Sequence, residues 1–306
     1  MTQPATSDEP GGRVVVAFDG SPGGRAAVVW ALEAAARART GLEVVVVLPV
    51  GEAWEDPDLL DPARIDLVRS DVGVHVRDLL DEYDRGGDLP QAHVTTTVLV
   101  GRPVDELVAR AADAGLLVVG SRGRGAARST LLGSVALGCV TRAGCPVAVV
   151  HPSVPGPGPA RVVVGLDDTD GARDVLWRAA VEAHHLGASL EVVVAVRPPE
   201  HWGDFASAAL PVRGETLAHA RWRVEGFVDA ELGRRPDVDV VVDAGRPADV
   251  LVRRAEGAAL LVVGSRSRSR LAGMLLGSTA LHCVVAAPCP VLVLHPQAVP
   301  ADVPTV

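Results

Sequence analysis

The stretch LLVVGSRGRGAARSTLLGSVALGCV, residues 116–140, changes character twice. It opens on an apolar, valine-rich run ending in Gly120, the pattern of a strand buried on both faces. A Gly/Arg/Ser loop follows. Gly133-Ser134 then leads into apolar residues at helical spacing, predicting a helix over 132–142. Gly120, Gly123 and Gly133 bracket the loop. Glycine lets backbone N–H groups come close to an anion and adopts positive φ without strain. A helix start adds free N–H donors and a partial positive charge. Strand, glycine loop and helix start together predict an anion cradle made of backbone.

The same stretch returns as LLVVGSRSRSRLAGMLLGSTALHCV at 260–284. RVVVAFDGS (13–21) returns as RVVVGLDDT (161–169), VGRPVDELVARA (100–111) as AGRPADVLVRRA (244–255), and CPVAVVHP (145–152) as CPVLVLHP (289–296). The chain is a tandem repeat. PSVPGPGPA, 152–160, is a Pro/Gly linker that continues neither helix nor strand. The expected domains are 13–151 and 161–296. In the first, strands are predicted at 14–18, 44–48, 93–99, 116–120 and 146–150, with helices at 22–39, 61–84, 103–114 and 132–142. This alternation predicts an α/β fold: two tandem Rossmann-like domains, each a five-stranded, mostly parallel sheet with helices on both faces.

Composition removes whole classes of function. Of 306 residues 48% are hydrophobic and 22% charged, which excludes global disorder. The formal charge of −9 disfavours nucleic acid and anionic membrane as partners. Every basic residue other than histidine is arginine, which excludes a P-loop lysine and Schiff-base chemistry. No apolar run reaches the length of a membrane span, and the polar N-terminus reads as a tail. Four cysteines are too few for a disulfide scaffold and suit a cytoplasmic protein.

In open α/β sheets ligands bind beyond the carboxyl ends of strands, where strand order reverses. Asp19-Gly20-Ser21 and Gly120–Ser134 lie at such ends. The motif G-x2-G-x9-G-[ST] after a VVVG strand, an Asp closing strand one and a terminal CPVxVV strand resemble the universal stress protein family, in its tandem actinobacterial form. The resemblance implies an adenine-nucleotide alpha-hydrolase-like fold that binds ATP, with the role of Mg²⁺ left open. It implies a first-half site of Asp19, Gly120, Gly123, Arg124, Gly133, Ser134 and Val135. The second-half counterparts are Asp167, Gly264, Ser267, Gly277, Ser278 and Thr279, where Ser267 replaces a glycine and Asp168-Thr169 replaces Gly20-Ser21. Weaker ATP binding is expected there. Leu48, Pro49 and Val50 compete for the adenine-contacting place at the end of strand two. The resemblance further implies dimerisation between such domains through the last strand's edge, so the two halves are expected to pair as an internal pseudo-dimer and two chains to pair again as a homodimer; a regulatory protein partner is expected as well.

Other residues read more plainly. Arg122, Arg124 and Arg128, echoed by Arg266, Arg268 and Arg270, are loop charges with some claim on phosphate. Cys139, Cys145, Cys283 and Cys289 recur as C-x5-C, which is not zinc spacing and points to core packing. His151 and His295 have no triad partner in sequence. His184 and His185 suit a helix C-terminus. Trp30 and Trp177 are expected at equivalent helix positions against the sheet. Trp54 and Trp202 suit a lid or an interface. With no nucleophile–base pair and no metal cluster evident, the expected function is an ATP-dependent stress or dormancy regulator. The rivals are a slow ATP hydrolase using the same pocket and a non-nucleotide scaffold or thiol sensor.

Overall fold

The computed structural model describes residues 12–49, 62–84, 93–123, 132–151, 159–167, 169, 171–197, 214–265 and 276–295. The chain divides into two compact units, one ending at Val150 and the next starting at His151.

In the first unit the strands are β1 (Val14–Ala17), β2 (Leu42–Pro49), β3 (Val94–Gly101), β4 (Leu116–Gly120) and β5 (Val147–Val150). The helices are α1 (Pro22–Arg37), α2 (Pro62–Asp84), α3 (Pro103–Arg110) and α4 (Ser134–Arg142). Strand order is β3-β2-β1-β4-β5, and the pairs run parallel. Successive residues Val14–Val16, Leu116–Val119 and Val147–Val150 are buried whichever way they point, so both faces are covered. That is why these strands read as continuous apolar runs. Order reverses between β1 and β4, so the loops leaving those two strands diverge and open a crevice at their carboxyl ends.

The second unit repeats the plan with β6 (Arg161–Gly165), α5 (Ala172–Leu186), β7 (Ser189–Val196), α6 (Gly214–Leu232), β8 (Val238–Ala244), α7 (Pro247–Arg254), β9 (Leu260–Gly264), α8 (Ser278–Ala286) and β10 (Val291–Leu294). Its order is β8-β7-β6-β9-β10, again parallel.

The amino ends of the strands carry an ionic anchor. Glu43, 3% exposed in its side chain, accepts from Arg13 Nε (3.0 Å), Arg110 Nε (2.8 Å) and Thr97 Oγ1 (2.6 Å). Burial pushes its carboxyl up, but the hydrogen bonds from Thr97, Arg110 and Arg13 outweigh this and hold it below the ordinary carboxylate value. In the second unit Arg161 meets Glu191, and Arg254 donates to Asp243 at 2.9 Å. The Arg and Glu of RVVV and LEVVV, present in both repeats, were its signal in the sequence.

One expected equivalence fails. Pairings Val14↔Leu42 and Val162↔Leu190 keep one offset of 148, so Trp30 corresponds to Arg178. Trp177 sits one residue away, about 100° round the helix. It is 46% exposed and donates Nε1–H to Glu231 at 3.1 Å instead of packing on the sheet.

Candidate functional site

The turn after β1 is built by its own side chains. Gly20 takes φ 77°, a left-handed conformation that glycine adopts freely. Asp19 Oδ1 accepts from Ser21 N–H at 2.9 Å, closing an Asx turn. Ser21 is the N-cap of α1: its Oγ accepts from Gly24 N–H at 3.0 Å and approaches the Arg122 carbonyl at 3.5 Å. Pro22 fills the first helical position, where no N–H is needed. The start of α1 is thus satisfied within the protein.

The start of α4 is built differently. Gly133 is its N-cap, at φ −74° and ψ 149°, with no side-chain cap and no acidic residue in the first turn. Gly133 N–H donates to the Ser121 carbonyl at 2.8 Å, and Ser121 N–H donates to Val150 at 2.8 Å, which seats the helix start over the end of β4. Ser134 is exposed and Val135 half-buried. The N–H groups of this first turn, with the dipole behind them, form a positive end that no side-chain acceptor of the helix neutralises.

The glycines divide into two kinds. A Cβ on Gly120 would stand 2.6 Å from the Gly23 carbonyl oxygen and 3.1 Å from Gly24 N. One on Gly23 would collide with the Arg122 carbonyl oxygen, and one on Gly123 would meet Asp19 Oδ2 at 2.6 Å. These glycines allow the α1 turn and the β4 loop to close on each other. A Cβ on Gly133 would find its nearest neighbour, the Ser121 carbonyl oxygen, at 3.5 Å. None of Gly120, Gly123 and Gly133 takes a positive φ; Gly20 alone among these site glycines does. Their smallness is what matters, because the surroundings leave room for no Cβ at the first two. Asp19, Gly120, Gly123, Gly133, Ser134 and Val135 therefore converge on one crevice, with Gly133 lying over the Ser121–Gly123 backbone. Arg124 and Arg128 lie outside the described residues.

The comparisons with known proteins bear on this arrangement. The profile of the universal stress protein family matches residues 12–151 and again 159–295. The chain belongs to the universal stress protein family. A universal stress protein of Mycobacterium tuberculosis strain H37Rv is 35% identical over 295 residues, covering 92% of this chain and 96% of the relative. A second from the same strain is 32% identical, covering 92% and 95%. A crystal structure of a universal stress protein from Archaeoglobus fulgidus superposes with TM-score 0.64 at 22% identity, covering 92% of this chain and 98% of that one; it shares the fold.

The second half keeps the helix start and changes the turn. Gly277 caps α8 at φ −71° and ψ 150°, without a side-chain cap or an early acid, and its N–H donates to the Ser265 carbonyl at 2.7 Å. Ser278 is exposed and Thr279 half-buried, as Ser134 and Val135 are. Gly264 ends β9 as Gly120 ends β4. Asp167 Oδ1, however, accepts from both Thr169 N–H (3.2 Å) and its hydroxyl. Thr169 thus turns to the aspartate, and α5 begins at Ala172 with Gly171 as an N-cap that makes no side-chain capping bond. Ser267, Arg266, Arg268 and Arg270 lie outside the described residues, as do Asp168, Val50, Trp54 and Trp202 and most of the 152–160 linker.

All four cysteines are buried. Burial pushes the thiols of Cys139, Cys283 and Cys289 up to about 12 and raises Cys145 as well, which holds them as unreactive thiols and favours packing over sensing. Among the described residues no group of three or more His, Cys, Asp or Glu could hold a metal, and no helix is long and apolar enough to cross a membrane. Sequence reasoning missed Ser21 as a cap and the Gly23–Gly24 pair. S-P-G-G before an alanine-rich run, a capping residue ahead of Pro, was the available signal.

Proposed function

We propose that the first half binds ATP in the β1/β4 crevice, its phosphates on the α4 start. The observation that carries this is the glycine-capped helix end, open to an anion beside a turn whose own helix is already capped. The residues fit the ligand. Gly133, Ser134 and Val135 offer backbone N–H groups and one hydroxyl to phosphate oxygens, the absence of an early acid avoids repulsion, and Asp19 offers a carboxylate to the ribose hydroxyls or the amino group of the base. The chain needs no lysine for this. Mg²⁺ arrives, if at all, with the nucleotide. Nucleotide occupancy then serves as the input of a stress or dormancy regulator in the cytoplasm.

The second half binds more weakly. Two hydrogen bonds from Thr169 already occupy Asp167 Oδ1, and Ser267 brings a Cβ where the first half has none. The test is direct. Protein purified without added nucleotide is denatured and the released small molecules are identified by mass spectrometry, then emptied protein is titrated with ATP by calorimetry. Two unequal sites are expected. Absence of both released nucleotide and binding heat overturns the reading; equal affinities overturn the ranking of the halves.

A further inference from the structure

The two crevices differ most around the aspartate. In the first half Asp19 is set between two glycines: a Cβ on Gly24 would stand 2.7 Å from Oδ1, and one on Gly123 would stand 2.6 Å from Oδ2. The repeat puts Ala172 at the first of these places and Ser267 at the second. Both places that the Asp19 carboxylate needs empty therefore carry a Cβ in the second half, and Asp167 cannot hold the same pose without displacing both. The hydrogen bonds follow the change. Gly24 N–H donates to the Ser21 hydroxyl, whereas Ala172 N–H donates to the Thr169 carbonyl at 3.0 Å and the Thr169 hydroxyl donates to Asp167 Oδ1. The carboxylate that could read a sugar hydroxyl is engaged within its own turn.

The phosphate end is kept. Gly277 caps α8 with the backbone that Gly133 has on α4, and its N–H makes the same link to Ser265 that Gly133 makes to Ser121. Ser278 retains the hydroxyl of Ser134, and Thr279 adds one where the first half has Val135. Below the helix start lies Ser265, 1% exposed, its Oγ buried with no hydrogen-bond partner among the described residues; Ser121 is its equal in the first half. α1 and α4 lie on opposite faces, since their crossovers run in opposite directions across the sheet. Strand side chains alternate, and the Cβ direction of Gly120 is taken by the α1 turn, so the serine after it points to the side of the last helix. By the repeat, Ser265 points to the side of α8. A buried hydroxyl left unmatched is costly, and it calls for a water or a ligand oxygen at that spot.

We infer that the second crevice is a triphosphate-chain site that does not read the ribose, taking the chain with or without a nucleoside attached. The contrast with the first half rests on the ATP reading above; the second-half site itself is tested independently of it.

The experiment is calorimetric titration of the emptied full chain with ATP, 2′,3′-dideoxy-ATP and inorganic tripolyphosphate. Each half is observed with the other closed by Gly133→Asp or Gly277→Asp. In Gly133→Asp protein the two nucleotides are expected to bind within about twofold of each other, and tripolyphosphate to bind as well. In Gly277→Asp protein, loss of the ribose hydroxyls is expected to weaken binding at least about tenfold, as loss of a hydrogen bond to a charged group does. Thr169→Ser, Ala172→Gly and Ser267→Gly, added together to Gly133→Asp, are expected to bring that discrimination to the second half. A preference of about fivefold or more for ATP over the dideoxy nucleotide in Gly133→Asp protein overturns the inference. So does failure of that protein to bind tripolyphosphate. Gly277→Asp protein that binds no ATP overturns the reading of the first half instead, while tripolyphosphate bound by Gly133→Asp protein still upholds the second-half site. A folded triple variant that stays indifferent to the ribose overturns the assignment of the difference to those three residues.

Discussion

Gly133→Asp separates the two jobs that a glycine can do in this crevice. Gly133 occupies the extended backbone region that N-cap residues adopt, so aspartate fits without strain. The nearest atom to its new Cβ, at 3.5 Å, is in ordinary contact. Aspartate is a better N-cap than glycine by a few tenths of a kcal/mol, and its charge gains roughly another 0.3–1 kcal/mol from the helix dipole. Folding is therefore expected to hold or improve, with the melting temperature unchanged or raised by about 1–3 °C.

Binding is expected to move the other way. The carboxylate occupies the anion position and faces incoming phosphate. At about 4 Å and an effective dielectric constant of about 20, two unit charges repel by about 4 kcal/mol. Partial screening lowers that to roughly 2–4 kcal/mol, a loss of about 30- to 1000-fold in affinity. Calorimetric titration with ATP beside a thermal melt reads both effects on one preparation. Gly133→Asp protein that is folded and binds ATP as wild type does would refute placement of phosphate at α4. A variant that unfolds would refute the reading of Gly133 as a position without a packing duty.

Three further outcomes follow from the same geometry. Gly120→Ala puts a Cβ about 0.8 Å inside ordinary contact with the Gly23 carbonyl, against backbone that cannot rotate away, so a loss of about 2 kcal/mol is expected by urea unfolding. Ser21→Ala removes the α1 cap and is expected to cost about 1 kcal/mol, whereas Thr169→Ala, which removes no helix cap, is expected to cost under about 0.5 kcal/mol. Glu43→Gln removes the charge between Arg13 and Arg110 and is expected to cost about 2 kcal/mol at neutral pH, discounted because both arginines are partly exposed. Because its folded value is depressed, the Glu43 contribution is full above about pH 4.3 and is lost as pH falls through the folded value. Wild type and Glu43→Gln should therefore converge in stability below about pH 4, and a constant gap down to pH 3 would refute the assignment.

The layered fold was legible because parallel strands buried on both faces leave an unmistakable trace. VVVA, LLVVG and VAVV are runs with no polar face, and the repeat doubles every such signal. β2 and β3 run longer than the apolar runs that announced them, since Leu42–Glu43 and Val100–Gly101 pair by register rather than by pattern. The convergence of Asp19 with the glycines was legible through topology, as the reversal between β1 and β4 brings the two loops together. What stayed hidden was the reason for each glycine. A one-letter pattern does not say whether a missing Cβ makes room for a ligand or for the neighbouring loop. The equivalence of Trp30 and Trp177 failed for a related reason: one residue of slip turns a helical side chain through about 100°, and only the strand register fixes it.

This division changes what the glycine motif can be evidence for. Gly120 and Gly123 are required by contacts with Gly23 and Asp19, so they would be needed in a domain that bound nothing. Gly133 has no such duty, and its glycine-capped, acid-free helix start is the feature on which the proposed phosphate site rests. The second half bears on the same point. Ser267 corresponds by the repeat to Gly123, where a Cβ would meet an Asp19 oxygen at 2.6 Å. In the half that carries the serine, the matching aspartate is drawn to a threonine hydroxyl as well as to a backbone N–H. The two changes belong together if the aspartate must give way to a side chain at 267. Introducing Gly123→Ser alone into the first half should then cost stability and ATP affinity together, while adding Ser21→Thr should recover part of the stability and none of the affinity. Recovery of both would mean that the aspartate's position, and not the missing Cβ, is what tunes the crevice.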